Sequence, residues 1–167
     1  QIKNLPKPVV AEVQGVATAA GCQLVATCDI AVASNIARFG VNGVNIGLFC
    51  STPMVALSRN IGRKKTFEML VTGDFMTASE AKESGLINHV VSEEELSAKT
   101  DELASKISEK FKRVVKIGKK AFYEQAEMKL ENAYDYTAKI MAENMVLDET
   151  VEGISAFIEK RDPKWAE

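Results

Sequence analysis

The sequence predicts an α/β fold that gives way to an all-helical C-terminal region. Three observations predict it. Residues 9–13, rich in valine, lead through a run of very small side chains into a short apolar helix. Short apolar strands then alternate with helices up to Val91. From Ser92 onward only helical periodicity recurs. The expected organisation is an α/β part over residues 1–91 and a helical region over 92–167.

Taken in order, residues 8–13 form the first strand, with Pro8 where no ladder donor is needed. Residues 15–19 read as a turn, and residues 20–28 as a short buried helix. Residues 29–33 are apolar enough for a strand covered on both faces, and 37–40 read as a third strand. Residues 41–52 read as irregular. Pro53 opens a helix to about Asn60, with Gly62 as its stop. A helix over 63–71 is closed by Gly73. Thr77-Ala78-Ser79-Glu80 is a capping box that starts a helix ending at Gly85. Residues 86–91 form a strand, and Ser92-Glu93-Glu94-Glu95 is a second capping box. Leu96, Leu103, Ile107 and Phe111 recur at helical spacing, followed by helices over 114–125, 130–147 and 151–160.

Composition narrows the function classes. The chain has 167 residues, 46% hydrophobic and 26% charged, ordinary for one globular domain. A net charge of −2 argues against bulk nucleic-acid affinity. The basic residues Lys110, Lys112, Arg113, Lys116, Lys119 and Lys120 would spread around a helix as a solvated face. No apolar run is long enough to span a membrane, and residues 1–8 read as neither a signal nor a transit peptide. Three cysteines without a C-x-x-C pair suggest reduced, partly buried thiols in a reducing compartment. No zinc-ligand spacing exists, and His89 is the only histidine.

The stretch Gly15-Val16-Ala17-Thr18-Ala19-Ala20-Gly21 lets a ligand or a second backbone approach the main chain closely. The helix behind it would aim free N–H groups into that gap, where they suit an oxygen carrying negative charge. A tight turn with a small-residue helix contact explains the same pattern.

Gly15-x-Ala17-x-x-x-Gly21-x-x-Leu24-x-x-x-Cys28-Asp29-x-x-Val32-Ala33 resembles the signature of the crotonase (enoyl-CoA hydratase/isomerase) superfamily. The likeness continues through Ala37-Arg38-Phe39-Gly40, Leu70-Val71-Thr72-Gly73, the Ala78–Val91 segment and Glu152-Gly153-Ile154-x-Ala156-Phe157-Ile158-Glu159-Lys160-Arg161. The resemblance implies a crotonase (ClpP-like) β-β-α superhelix, with C-terminal helices that build a homotrimer or a dimer of trimers. It also implies a mitochondrial acyl-CoA-handling role in lipid metabolism, with no cofactor beyond the acyl-CoA ligand. Domains of this family run roughly 250 residues, and the match begins about a third of the way in. The family's first oxyanion-hole loop and early ββα units are therefore expected to lie outside this sequence.

The resemblance assigns residues as well. Ala20 stands where the family's middle glycine of G-G-G gives one oxyanion-hole N–H, flanked by Ala19 and Gly21. Alanine keeps that N–H. The hydratases' two glutamates fall on Gln23 and Gly43, and the aspartate of the dienoyl isomerases falls near Ser51. Glutamine can hold a water but is no general base, and glycine offers no side chain. Each such group normally supplies roughly 10²–10⁴-fold, so weak or absent hydration is expected. The family's G-x-x-P-G-x-G-G-T loop is also altered, to Gly47-Leu48-Phe49-Cys50-Ser51-Thr52-Pro53, which puts Phe49 beside the substrate. Phe157, Lys160 and Lys164 fall in the closing motif that meets the CoA adenine and phosphates; a charged tail with an apolar anchor reads equally well.

The remaining candidates have plainer readings. Cys22, Cys28 and Cys50 have no visible base and are expected to be buried thiols. His89 is expected to be an ordinary strand residue, and Asn42, Asn45 and Ser51 ordinary loop residues. A non-catalytic CoA-binding or scaffold trimer is the alternative function.

Overall fold

The computed structural model describes residues 1–165. The chain divides into two compact units. One comprises residues 8–106 with residue 2; the other comprises residues 107 onward with residues 1 and 3–7. The expected division after Val91 and this grouping differ by most of one helix, α5 (Leu96–Ser108).

The α/β unit is built on two small sheets. In the first, β1 (Val10–Val13), β3 (Ile30–Ser34) and β6 (His89–Val91) are all parallel, with β3 in the middle. Val10 stands opposite Ile30, and Val32 opposite His89. Ala31, Val32, Ala33 and Ser34 are all buried, as the apolar run predicts for a strand covered on both faces. The Ser34 hydroxyl donates to the Gln14 carbonyl at 2.9 Å, so the one polar side chain among them is satisfied.

The second sheet joins β2 (Val16–Thr18), β4 (Arg38–Gly40) and β5 (Met76–Thr77); β2 and β4 are parallel, β4 and β5 antiparallel. Here the turn expected over residues 15–19 is corrected. Val16 and Thr18 face outward and Ala17 inward, a three-residue alternation that pairs with β4. Only two residues, Gln14 and Gly15, separate it from β1, so the chain steps from one sheet to the other. A strand this short among alanines leaves too little period to read.

Helices cover the sheets. They are α1 (Ala20–Thr27), α2 (Ser51–Leu57), α3 (Arg63–Thr72) and α4 (Ala78–Glu83). α1 packs on α2, and Phe39, Leu57, Leu70 and Met76 are fully buried between the layers. Gly73 closes α3 at φ +69°, and the Thr77/Glu80 capping box opens α4. Gly62 is not the stop of α2. It is the N-cap of α3 with φ −58°, and α2 ends at Leu57 with Ser58 as its C-cap. Residues 42–46 form a 3₁₀ turn where irregular chain was expected.

The helical unit carries α6 (Lys112–Gln125), α7 (Leu130–Met145) and α8 (Asp148–Glu159). Lys119 is buried and donates to the Lys7 carbonyl at 2.9 Å, while Lys120 pairs with Glu124 at 3.8 Å. Tyr136 donates its hydroxyl to Glu124, joining α6 to α7. Trp165 lies 5.8 Å from Phe111, and Arg161 bridges Glu152 and Glu159. No helix is long and apolar enough to cross a membrane among the described residues.

Candidate functional site

The small-residue stretch becomes β2, a one-residue turn and the start of α1. Ala19 is that turn, with φ +47° and ψ −116°, a backbone region that alanine seldom adopts. Its N–H donates to the Gly40 carbonyl at 2.9 Å, which ties the start of α1 to the end of β4. Beyond it the first N–H groups of α1, beginning at Ala20, have no acceptor within the helix. Ala20 and Gly21 are exposed, and no atom crowds the space a Gly21 Cβ would fill. The turn therefore presents accessible main-chain donors, the arrangement an anionic oxygen needs.

Gln23 follows three residues after Ala20, on the same side of α1, and is half-buried. Its side chain is a neutral amide and carries no titrating group. Thr27 back-bonds to the Gln23 carbonyl at 2.6 Å.

The segment after β4 is brought to the same place. Thr18 donates its hydroxyl to Asn42 Oδ1 at 2.6 Å, and the Asn42 amide donates to the Gly73 carbonyl. Asn45 Nδ2 reaches the same carbonyl at 3.4 Å. Asn42 and Asn45 thus have a structural use that the sequence reading left as ordinary loop. The signal was available only in part: the αL closure at Gly73 was legible, but its partners lie 31 and 28 residues away. Gly43 sits inside the 3₁₀ turn, and its carbonyl accepts from Leu48 N–H at 2.9 Å. Phe49 stays partly exposed just before Cys50.

Among the thiols, Cys22 is unsuited to nucleophilic work. Cys22 is fully buried in α1, and burial pushes its pKa up to about 12. Cys50 is buried too, close enough that its own charge would raise Cys22 further. Cys28 is half-buried at the end of α1. His89 is half-buried in β6, opposite Val32. No group of three or more His, Cys, Asp or Glu that could hold a metal occurs among the described residues.

Phe157, Lys160 and Lys164 belong to the helical unit. Phe157 is 84% exposed on α8. Lys160 caps that helix in the left-handed region at φ +54°, and Lys164 is held by its N–H bond to Glu152 at 2.7 Å. Two ammonium groups and one aromatic ring stand open to solvent within eight residues.

The whole chain, residues 1–167, matches the family model described as enoyl-CoA hydratase/isomerase. The chain belongs to the enoyl-CoA hydratase/isomerase family. It is 52% identical over 165 residues to the mouse (Mus musculus) enoyl-CoA hydratase domain-containing protein 3, mitochondrial, covering 99% of this chain and 55% of the relative. The Xenopus laevis protein of the same name is 51% identical over 163 residues, covering 98% and 55%. Among solved structures, an enoyl-CoA hydratase from Mycobacterium smegmatis superposes with a TM-score of 0.97 at 55% identity, covering 98% of this chain and 64% of that one. Human enoyl-CoA hydratase domain-containing protein 3 gives 0.96 at 51% identity, covering 98% and 65%. The chain thus spans about half the length of the curated relatives it matches. The family membership accounts for the crotonase α/β fold and its C-terminal helices.

Proposed function

We propose that this chain is part of a mitochondrial acyl-CoA-binding protein of lipid metabolism, whose hydratase activity is weak or absent. The observation that carries the reading is the turn at Ala19. Its strained backbone leads directly into exposed Ala20, whose N–H would serve as one donor to a thioester oxygen. Ala19 and Gly21 would flank that oxygen, and Phe49 would line the acyl side. By the family resemblance, Phe157, Lys160 and Lys164 of the helical unit would meet the adenine and phosphates of a CoA across a subunit contact, since point-charge lysines suit phosphate. Gln23 and Gly43 supply no carboxylate, so the site would polarise a thioester without a proton carrier at either place. No cofactor is needed for this role.

The mitochondrial assignment rests on relatives named as mitochondrial proteins at about half identity. The lipid role rests on the family alone. A homotrimer, or a dimer of trimers, is part of the reading. Val146 and Ile158 of the helical unit are each more than two-thirds exposed, apolar surface that a second copy would cover.

The test is a calorimetric titration of the protein with acetoacetyl-CoA, an enolate mimic, alongside a crotonyl-CoA hydration assay. Tight binding without turnover is the expected result. Turnover near that of a true hydratase would overturn the account of Gln23 and Gly43. Absence of binding would favour the second reading, a non-catalytic scaffold whose trimer is the functional unit.

A further inference from the structure

We infer that position 43 is closed to any side chain by the main chain of its own loop, so the missing carboxylate there is built into the fold. This deepens the proposed function and rests on its placement of Gly43 in the acyl-CoA site. A Cβ added at Gly43 would run into the Leu48 carbonyl oxygen, with its carbon 3.2 Å away, and would stand 2.9 Å from Cys50 Sγ. Neither neighbour is the free end of a flexible side chain. The Leu48 carbonyl is backbone, and Leu48 N–H is bonded to the Gly43 carbonyl. Gly47, at φ +76°, makes the reversal that brings Leu48 back. Cys50 is buried in the core. On the other side, Asn42 is fixed to Thr18 and to Gly73.

The glycine is required for room and not for backbone freedom, since Gly43 is not among the positive-φ residues. This separates it from Gly47 and Gly73, whose left-handed backbone alone demands glycine. The consequence is chemical. A thioester reaction that begins or ends with proton transfer from position 43 is closed, and one substitution cannot reopen it. What the loop leaves is charge stabilisation on the thioester oxygen by main-chain donors.

The test uses Gly43→Ala and Gly43→Glu in the full chain, with Gly118→Ala as a control at a helical position where a Cβ meets nothing. Both position-43 variants are expected to melt about 5 °C or more below the parent, by similar amounts, because the Cβ they share is the atom that clashes. The control is expected not to melt lower. Gly43→Glu is expected to gain no crotonyl-CoA hydration. A Gly43→Ala protein that melts with the parent would overturn the closure. So would a Gly43→Glu protein that hydrates crotonyl-CoA about 100-fold faster than the parent. Failure of the parent to bind acetoacetyl-CoA would sink the acyl-CoA reading but leave the melting comparison intact.

Discussion

Ala19 donates its N–H to the Gly40 carbonyl at 2.9 Å while its own φ stands at +47°. A β-carbon is thus held in a region where glycine is the comfortable residue, by a bond that Ala19 donates to the end of β4. The strain is of order 1–3 kcal/mol. Replacing Ala19 by Gly is expected to stabilise the protein by about 1 kcal/mol, because relief of strain outweighs the added chain entropy. Ala19→Val is expected to cost more than 1 kcal/mol. Urea unfolding of the three proteins measures both.

Asn42 links β2 to the end of α3 through bonds to Thr18 and Gly73. Asn42→Ala removes both and leaves the Gly73 carbonyl with only the long bond from Asn45. A loss of about 1–2 kcal/mol in denaturant unfolding is expected.

Cys22 is expected to resist thiol reagents in the native protein. Its pKa of about 12 leaves almost no thiolate at pH 8, and its sulfur is covered. Half-buried Cys28 is expected to be labelled first. Mass spectrometry of peptides after native labelling distinguishes them, and in denaturant all three should react.

The sole tryptophan reports on the C-terminal anchor. Trp165 lies against Phe111, and the neighbouring Lys164 N–H and Arg161 both bond Glu152. Hydrogen bonds from Arg161, then from Lys164, hold the Glu152 pKa down to about 2. A depressed carboxylate pKa gives stability that is present above the unfolded value and is lost as pH falls through the folded one. Trp165 fluorescence is therefore expected to stay level from pH 7 to about 4.5 and to shift red between there and pH 2. Glu152→Gln is expected to shift it already at pH 7.

Most of the fold was legible because long elements carry their own signals. The Thr77/Glu80 box, Gly73 and the apolar run of β3 each announce a boundary or a covered strand in local chemistry. What escaped was short or remote. β2 and β5 have three and two residues, too few for a period, and exist because β4 lies between them. Gly62 reads like a stop yet lacks positive φ; it precedes a helix instead of ending one. In the candidate site, the turn at Ala19 with exposed Ala20 and Gly21 follows from a run of small residues. The closure of Gly43 does not, because the atom that fills its space belongs to the backbone of Leu48, and a carbonyl has no letter in a sequence.

The middle position of β3 bears on how the α/β unit assembles. Its partner β1 lies about 20 residues upstream, whereas β6 arrives more than 50 residues later, after α2, α3 and α4. Loop closure favours the nearer pairing, so β1 and β3 with α1 between them are expected to pair early and β6 to dock late. The amides of β3 then lie at the protected end of the hydrogen-exchange scale, opening only when the whole unit does, while those of β6 exchange through a smaller excursion.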